Sequence, residues 1–184
     1  MLRTLEHLRS LDLKIPDENL VWDDANTEAV ESDIDQELLE TLRQLPVARQ
    51  AAITFELAEW IIFRFETLVN CTLPTQWLEA AWVGLGDINN IHRTWEEVRD
   101  EKEWKGKLRG PIDLAMRHVE WALQDTVDPK ESDTAHNAAQ LASLVKHVFT
   151  DKLIFKQWLT NSINSDSFFS GVDQNPSPNN IFLN

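Results

Sequence analysis

Between Val47 and Val69 the chain puts apolar residues on almost every side of a helix. Ala48, Ala51/Ala52, Phe55, Ala58, Ile62, Phe65 and Val69 step by three and four, the spacing of one helix face. Leu57, Ile61 and Leu68 widen that stripe past half the circumference. Pro46 sits where a first helical turn accepts proline. A helix of about 23 residues with so little polar surface has to be enclosed by other elements, so it is expected at the centre of the fold. Its polar face is narrow and holds Arg49, Glu56, Glu59, Arg64 and Glu66.

The elements that enclose it are helical too. After Asn70-Cys-Thr-Leu-Pro74, a second helix is expected from about Thr75 to Asn90, with Leu78, Ala81/Trp82, Leu85 and Ile88 inward. The short connection suits an antiparallel hairpin. Residues 93–110 mix both charge signs around Trp95, Val98, Trp104 and Leu108, which fits a short exposed helix and a connector. A second hairpin is expected from Ile112 to Asp128 and from Ala135 to Phe149. Ala135, Ala138, Ala139, Ala142 and Ser143 let its second arm approach a neighbour closely. A last helix spans roughly Asp151 to Ile163, and an Asn/Ser/Pro-rich tail follows. No strand pattern appears. The expected fold is all-α, an antiparallel bundle of two helical hairpins within one domain, 1–184. Residues 1–45 form an acidic N-terminal region with some helix, 46–163 the helical core and 164–184 an irregular tail.

Charge separates the functional classes. Ten carboxylates and no Lys or Arg lie between Lys14 and Arg43, in a chain of formal charge −14. Residues 1–45 hold 12 acids against 4 bases, so −8 of that total falls there. Such a field repels nucleic acid and anionic membrane and draws in basic proteins. One Cys, Cys71, excludes an internal disulfide, and a small buried thiol is its expected role. The opening residues lack the apolar run of a signal peptide, and no stretch is long enough for a membrane span. A cytoplasmic location follows as the expectation.

Candidate chemistry is sparse. Glu56-x-x-Glu59 and Glu97-x-x-Asp100 each put two carboxylates on one helix face, and facing pairs can hold Mg²⁺. All-α nucleotide pyrophosphohydrolases use such an arrangement, but 37 residues separate Glu59 from Glu97, longer than that family's usual interval. Asp133-x-x-His136 has half a di-iron motif without its second half. His136 and His147 share a face about 16 Å apart along the axis, too far for one metal. His92 and Glu96 form an i,i+4 surface pair, and His7 and His118 show no partner pattern. No GxSxG, HExxH or phosphate-cradling glycine loop occurs. Neither catalytic residues, nor a metal site, nor a cofactor is expected.

Binding is better supported. The acidic run is punctuated by Ile15, Leu20, Val21, Trp22, Val30, Ile34, Leu38 and Leu39; Ile34 and Leu38, with Leu42, are expected to form a helical stripe that docks, and residues 16–31 a loop or irregular arm. Carboxylates around a Trp suit a Lys/Arg-rich surface: charge sets the association rate and the indole anchors. The expected contact residues are Asp17, Glu18, Trp22, Asp23, Asp24 and Glu28. Among the eight Trp, Trp60, Trp77, Trp82, Trp121 and Trp158 lie beside apolar stripes and are expected in the core. Trp22, Trp95 and Trp104 lie in polar surroundings and are candidate surface anchors.

Arg49-Gln-Ala-Ala-Ile-Thr-Phe-Glu-Leu-Ala-Glu59-Trp-Ile-Ile, with Leu78-Glu-Ala-Ala-Trp82 one helix later, resembles helical immunity proteins of bacterial polymorphic-toxin systems and related all-helical bacterial proteins. Ile112 to Leu123 and Ala135 to Ser143 are similar to that family's second half. The resemblance spans roughly residues 46–150 and rests on apolar spacing and an Ala-Glu placement. It implies a protein that binds and neutralises a cognate toxin, with no catalytic residues. The alternatives are the Mg²⁺-dependent hydrolase and a scaffold or adaptor without inhibitory action. Oligomeric state is left open by the sequence.

Overall fold

The computed structural model describes residues 2–11, 30, 33–69, 71–85, 94–101, 109–128, 133–149 and 151–165. Among these residues the fold is all-α. Eight helices follow in order: α1 (Arg3–Ser10), α2 (Gln36–Arg43), α3 (Val47–Val69), α4 (Leu73–Gly84), α5 (Trp95–Glu101), α6 (Arg109–Val127), α7 (Thr134–Val148) and α8 (Lys152–Asn164). No helix of the described residues is long and apolar enough to cross a membrane.

Helix ends follow local chemistry. Asp35 starts α2, its carboxylate accepting from the Leu38 amide at 3.1 Å. Asp151 does the same for α8, through the Ile154 amide at 3.2 Å. Pro74 occupies the first turn of α4, where amides have no intrahelical partner. At α5, Thr94 and Glu97 bond reciprocally: the Glu97 amide donates to Thr94 Oγ1 at 3.2 Å, and the Thr94 amide to Glu97 Oε2 at 2.9 Å. This is a capping box, and it spends Glu97 on helix initiation.

Helix α3 is the axle of the fold. It packs chiefly along α6 and α7, with α1 on a further side. The alanines of α7 allow this approach: Ala138, Ala139 and Ala142 are fully buried. The short loop to α4 does not make α4 the main neighbour of α3; α4 packs more on α6. Helix α2 lies on α7, buries Leu39 and Leu42, and is tied there by Lys146 Nζ to Asp35 Oδ2 at 2.9 Å and by the Ser143 hydroxyl to the Asp33 carbonyl.

The polar face of α3 is buried as well over the residues whose side chains are described. Arg49, Glu56, Glu59 and Arg64 are 1–6% exposed, because α1 reaches Glu59, α8 reaches Arg49 and Glu56, and the end of α7 reaches Arg64. Three further residues depart from expectation. Trp95 is buried, because its indole N–H reaches Asp113 Oδ1 at 2.8 Å and its ring meets Trp77 edge-on. Trp121 is 43% exposed, its ring edge-on to His118 with the Arg117 guanidinium 5.9 Å from the ring centre. Cys71 is exposed, because it precedes α4 instead of joining its inner stripe.

Candidate functional site

The expected contact residues Asp17, Glu18, Trp22, Asp23, Asp24 and Glu28 lie outside the described residues, as does Trp104. The structure does place the downstream end of the acidic run. Asp33, Asp35, Glu37 and Glu40 are exposed at and along α2, on a helix whose other side is locked to α7. The Asp33 side chain is 78% exposed, with His147 Nε2 3.5 Å away. Glu40 accepts from Arg43 at 2.7 Å, one turn on. Such exposed pairs contribute little to stability, on the order of 0–1 kcal/mol. The Lys146 bond holds the Asp35 carboxyl below the usual carboxylate range, so it stays charged at neutral pH. The result is an anionic edge fixed to the bundle.

The carboxylates weighed as metal ligands have other tasks. Glu59 Oε2 accepts from the Leu5 amide at 2.7 Å, and its Oε1 from the Trp82 indole at 2.9 Å. Leu5 is the third residue of α1, and Leu2 at the N-cap offers no side-chain acceptor. Glu59 therefore caps α1 from another helix and supplies the acceptor its first turn lacks. Glu56, one turn before, sits near Arg49 and takes a hydrogen bond from Ser162, while its Oε2 has no partner among the described residues. Burial raises both carboxyls, Glu59 to about 8 and Glu56 to about 7, against the hydrogen bonds and charges that pull them down. Glu97 is spent in its capping box, and nothing is described of the Asp100 side chain. No three His, Cys, Asp or Glu side chains among the described residues are grouped to hold a metal. Millimolar Mg²⁺ is accordingly expected to leave the melting temperature unchanged. A rise that saturates with metal concentration would restore the four-carboxylate site.

Sequence spacing misses a second polar pair. His118 on α6 is buried, with Nδ1 3.0 Å from Asn137 Oδ1 on α7. Burial pushes its imidazole down to about 4, so it is neutral at physiological pH. With Asn137 Oδ1 accepting, Nδ1 carries the proton. The bond joins α6 to α7 inside the core. His136 and His147, on α7, are respectively half-buried and exposed.

Other acids also tie helices together. Asp113 receives the Trp95 indole, and Glu120 Oε2 accepts from the Trp95 amide at 3.2 Å. Burial pushes Glu120 up, and Glu96 and Glu97 nearby add to the shift. Asp125 accepts from the Thr134 hydroxyl at 2.6 Å, bridging the end of α6 to the start of α7. The described interior thus uses its carboxylates as caps and ties; along α2, Asp35 does the same, whereas Asp33, Glu37 and Glu40 project into solvent. No protein-family model, curated protein or solved structure matches the chain.

Proposed function

We propose that the chain is an inhibitory binding protein, an immunity protein that neutralises a cognate toxin by laying an acidic surface over a basic active-site cleft. The observation that carries this reading is the division of labour among its carboxylates. The buried ones named above are bonded within the fold, whereas Asp33, Glu37 and Glu40 at α2 face solvent beside Asp35, which ties that helix to α7. The ten-carboxylate run that ends at α2, and the resemblance over residues 46–150, support it further. The mechanism is occlusion. Negative potential speeds encounter with a cationic cleft, and a fixed scaffold limits the entropy lost on docking. Asp17, Glu18, Trp22, Asp23, Asp24 and Glu28 supply the contacts in this account, and the partner is a protein rather than nucleic acid or membrane. A cytoplasmic site of action belongs to the same proposal.

Co-expression tests it. The protein that co-purifies with the chain from its native cells is expected to stop growth when expressed alone, and the chain to restore growth when both are present. Arrest that persists despite a formed complex would leave a scaffold, not an inhibitor.

A further inference from the structure

Three of the four charged side chains buried on the polar face of α3 serve one stripe: Arg49, Glu56 seven residues on, and Glu59 three beyond that. Each reaches α1 or α8. Glu59 caps the start of α1 through the Leu5 amide. Arg49 Nη2 donates to the Ser162 carbonyl, in the last turn of α8, and Ser162 also bonds Glu56. Arg49 near the C-terminus of α8 matches that helix's dipole, whereas Glu59, when neutral, caps α1 by hydrogen bonding alone. Helix α1 is held by this contact together with Leu2, Leu5 and Leu8, which bury in the core. It has eight residues and no cap of its own, and so short a helix is marginal in isolation.

We propose that this stripe is a proton-controlled clasp: with its carboxylates neutral it holds α1 against the central helix, and their ionisation releases α1. Both carboxyls are buried one turn apart, so two charges there repel each other in a poorly solvated interior. The Leu5 and Trp82 donors offset that cost at Glu59 only in part, and Glu56 Oε2 has no donor among the described residues. Helix α1 lies directly on Glu59 through the Leu5 amide, so lifting α1 lets water reach that carboxyl.

The surrounding charges are accounted for element by element. On α3, Arg49 favours ionisation of Glu56; Arg64, further along, donates to the Val148 carbonyl at 3.0 Å. From the α1 side, the amino terminus favours ionisation of Glu59, while Glu6, His7 and Arg9 are exposed. On α4, Glu79 is half-buried; on α6, Asp113 is bonded to Trp95 and His118 is neutral. On α7, Lys146 is paired with Asp35; on α8, Lys152 and Lys156 face solvent.

The direction with pH follows from linkage. A solvated Glu titrates near 4.5, and the closed clasp keeps Glu56 and Glu59 protonated to about 7 and 8. Across that window the closed state holds protons that the open state has lost. Rising pH therefore favours opening, by up to about tenfold per pH unit for each proton released.

Hydrogen exchange of the full chain from pH 5.5 to 9, expressed as protection factors, is the test. Amides of α1 are expected to lose protection by about tenfold or more between pH 6 and 8.5, while the centres of α3 and α7 keep theirs. Glu56→Gln, which removes one titrating group without shortening the side chain, is expected to make the loss shallower. Constant α1 protection across the range, equal loss in α1 and α7, or an unchanged slope in Glu56→Gln would each overturn the clasp.

Discussion

Trp60→Ala is expected to cost about 3–5 kcal/mol of folding stability and to loosen α8 from the bundle. Trp60 is 1% exposed on α3 and meets three rings edge-on: Phe149 at 4.9 Å, Phe155 at 5.3 Å and Trp158 at 5.4 Å between centroids. Two of those rings belong to α8, and Phe149 immediately follows α7. Removing the indole empties the place where three elements meet, so the loss combines burial, cavity and aromatic contacts. For a chain of this size that corresponds to a Tm fall on the order of 10 °C. Trp60→Phe should lose much less, because the ring contacts persist in part and the indole N–H has no acceptor among the described residues. Thermal melts of both variants settle the point. Near-equal Tm values for Trp60→Ala and the parent would mean the aromatic centre lies elsewhere.

The parts of the fold legible in the sequence are those set by local pattern. The apolar steps from Ala48 to Val69 specify α3 almost to its ends, and the small residues from Ala135 to Ser143 specify the close-packed side of α7. Both depend on spacing within one helix, which a sequence displays directly. The Thr94-x-x-Glu97 capping box is written there too, and treating Glu97 as a metal candidate passed over it. What stays hidden depends on contacts across long separations. Nothing near Glu59 announces that it caps a helix 54 residues earlier. Trp95 has charged neighbours in sequence, yet Asp113, 18 residues on, draws its indole inward. Trp121 sits beside apolar residues, yet its own position on α6 turns outward. Local polarity predicts burial poorly for Trp, because one distant acceptor is enough to satisfy its single polar atom.

Neutralising the acidic run has the largest functional effect that the proposed mechanism implies. With Asp17, Asp23 and Asp24 changed to Asn, and Glu18 and Glu28 to Gln, association with the cognate partner is expected to slow by about 10–100-fold at low salt. The salt dependence of the rate should flatten at the same time, since fewer charges remain to be screened. An unchanged far-UV circular dichroism spectrum and melting temperature in this variant would show that the slowing comes from docking and not from unfolding. Trp22→Ala on the unmodified background should act differently: a faster dissociation rate and a nearly unchanged association rate, as suits an anchor rather than a steering charge. An association rate indifferent to all five substitutions would move the docking surface away from the acidic run.

The central claim is inhibition by occlusion, and it is tested most directly by titrating the isolated partner's activity with the purified chain. Activity is expected to fall linearly to zero at one equivalent. A stoichiometric complex that retains full activity would contradict the account.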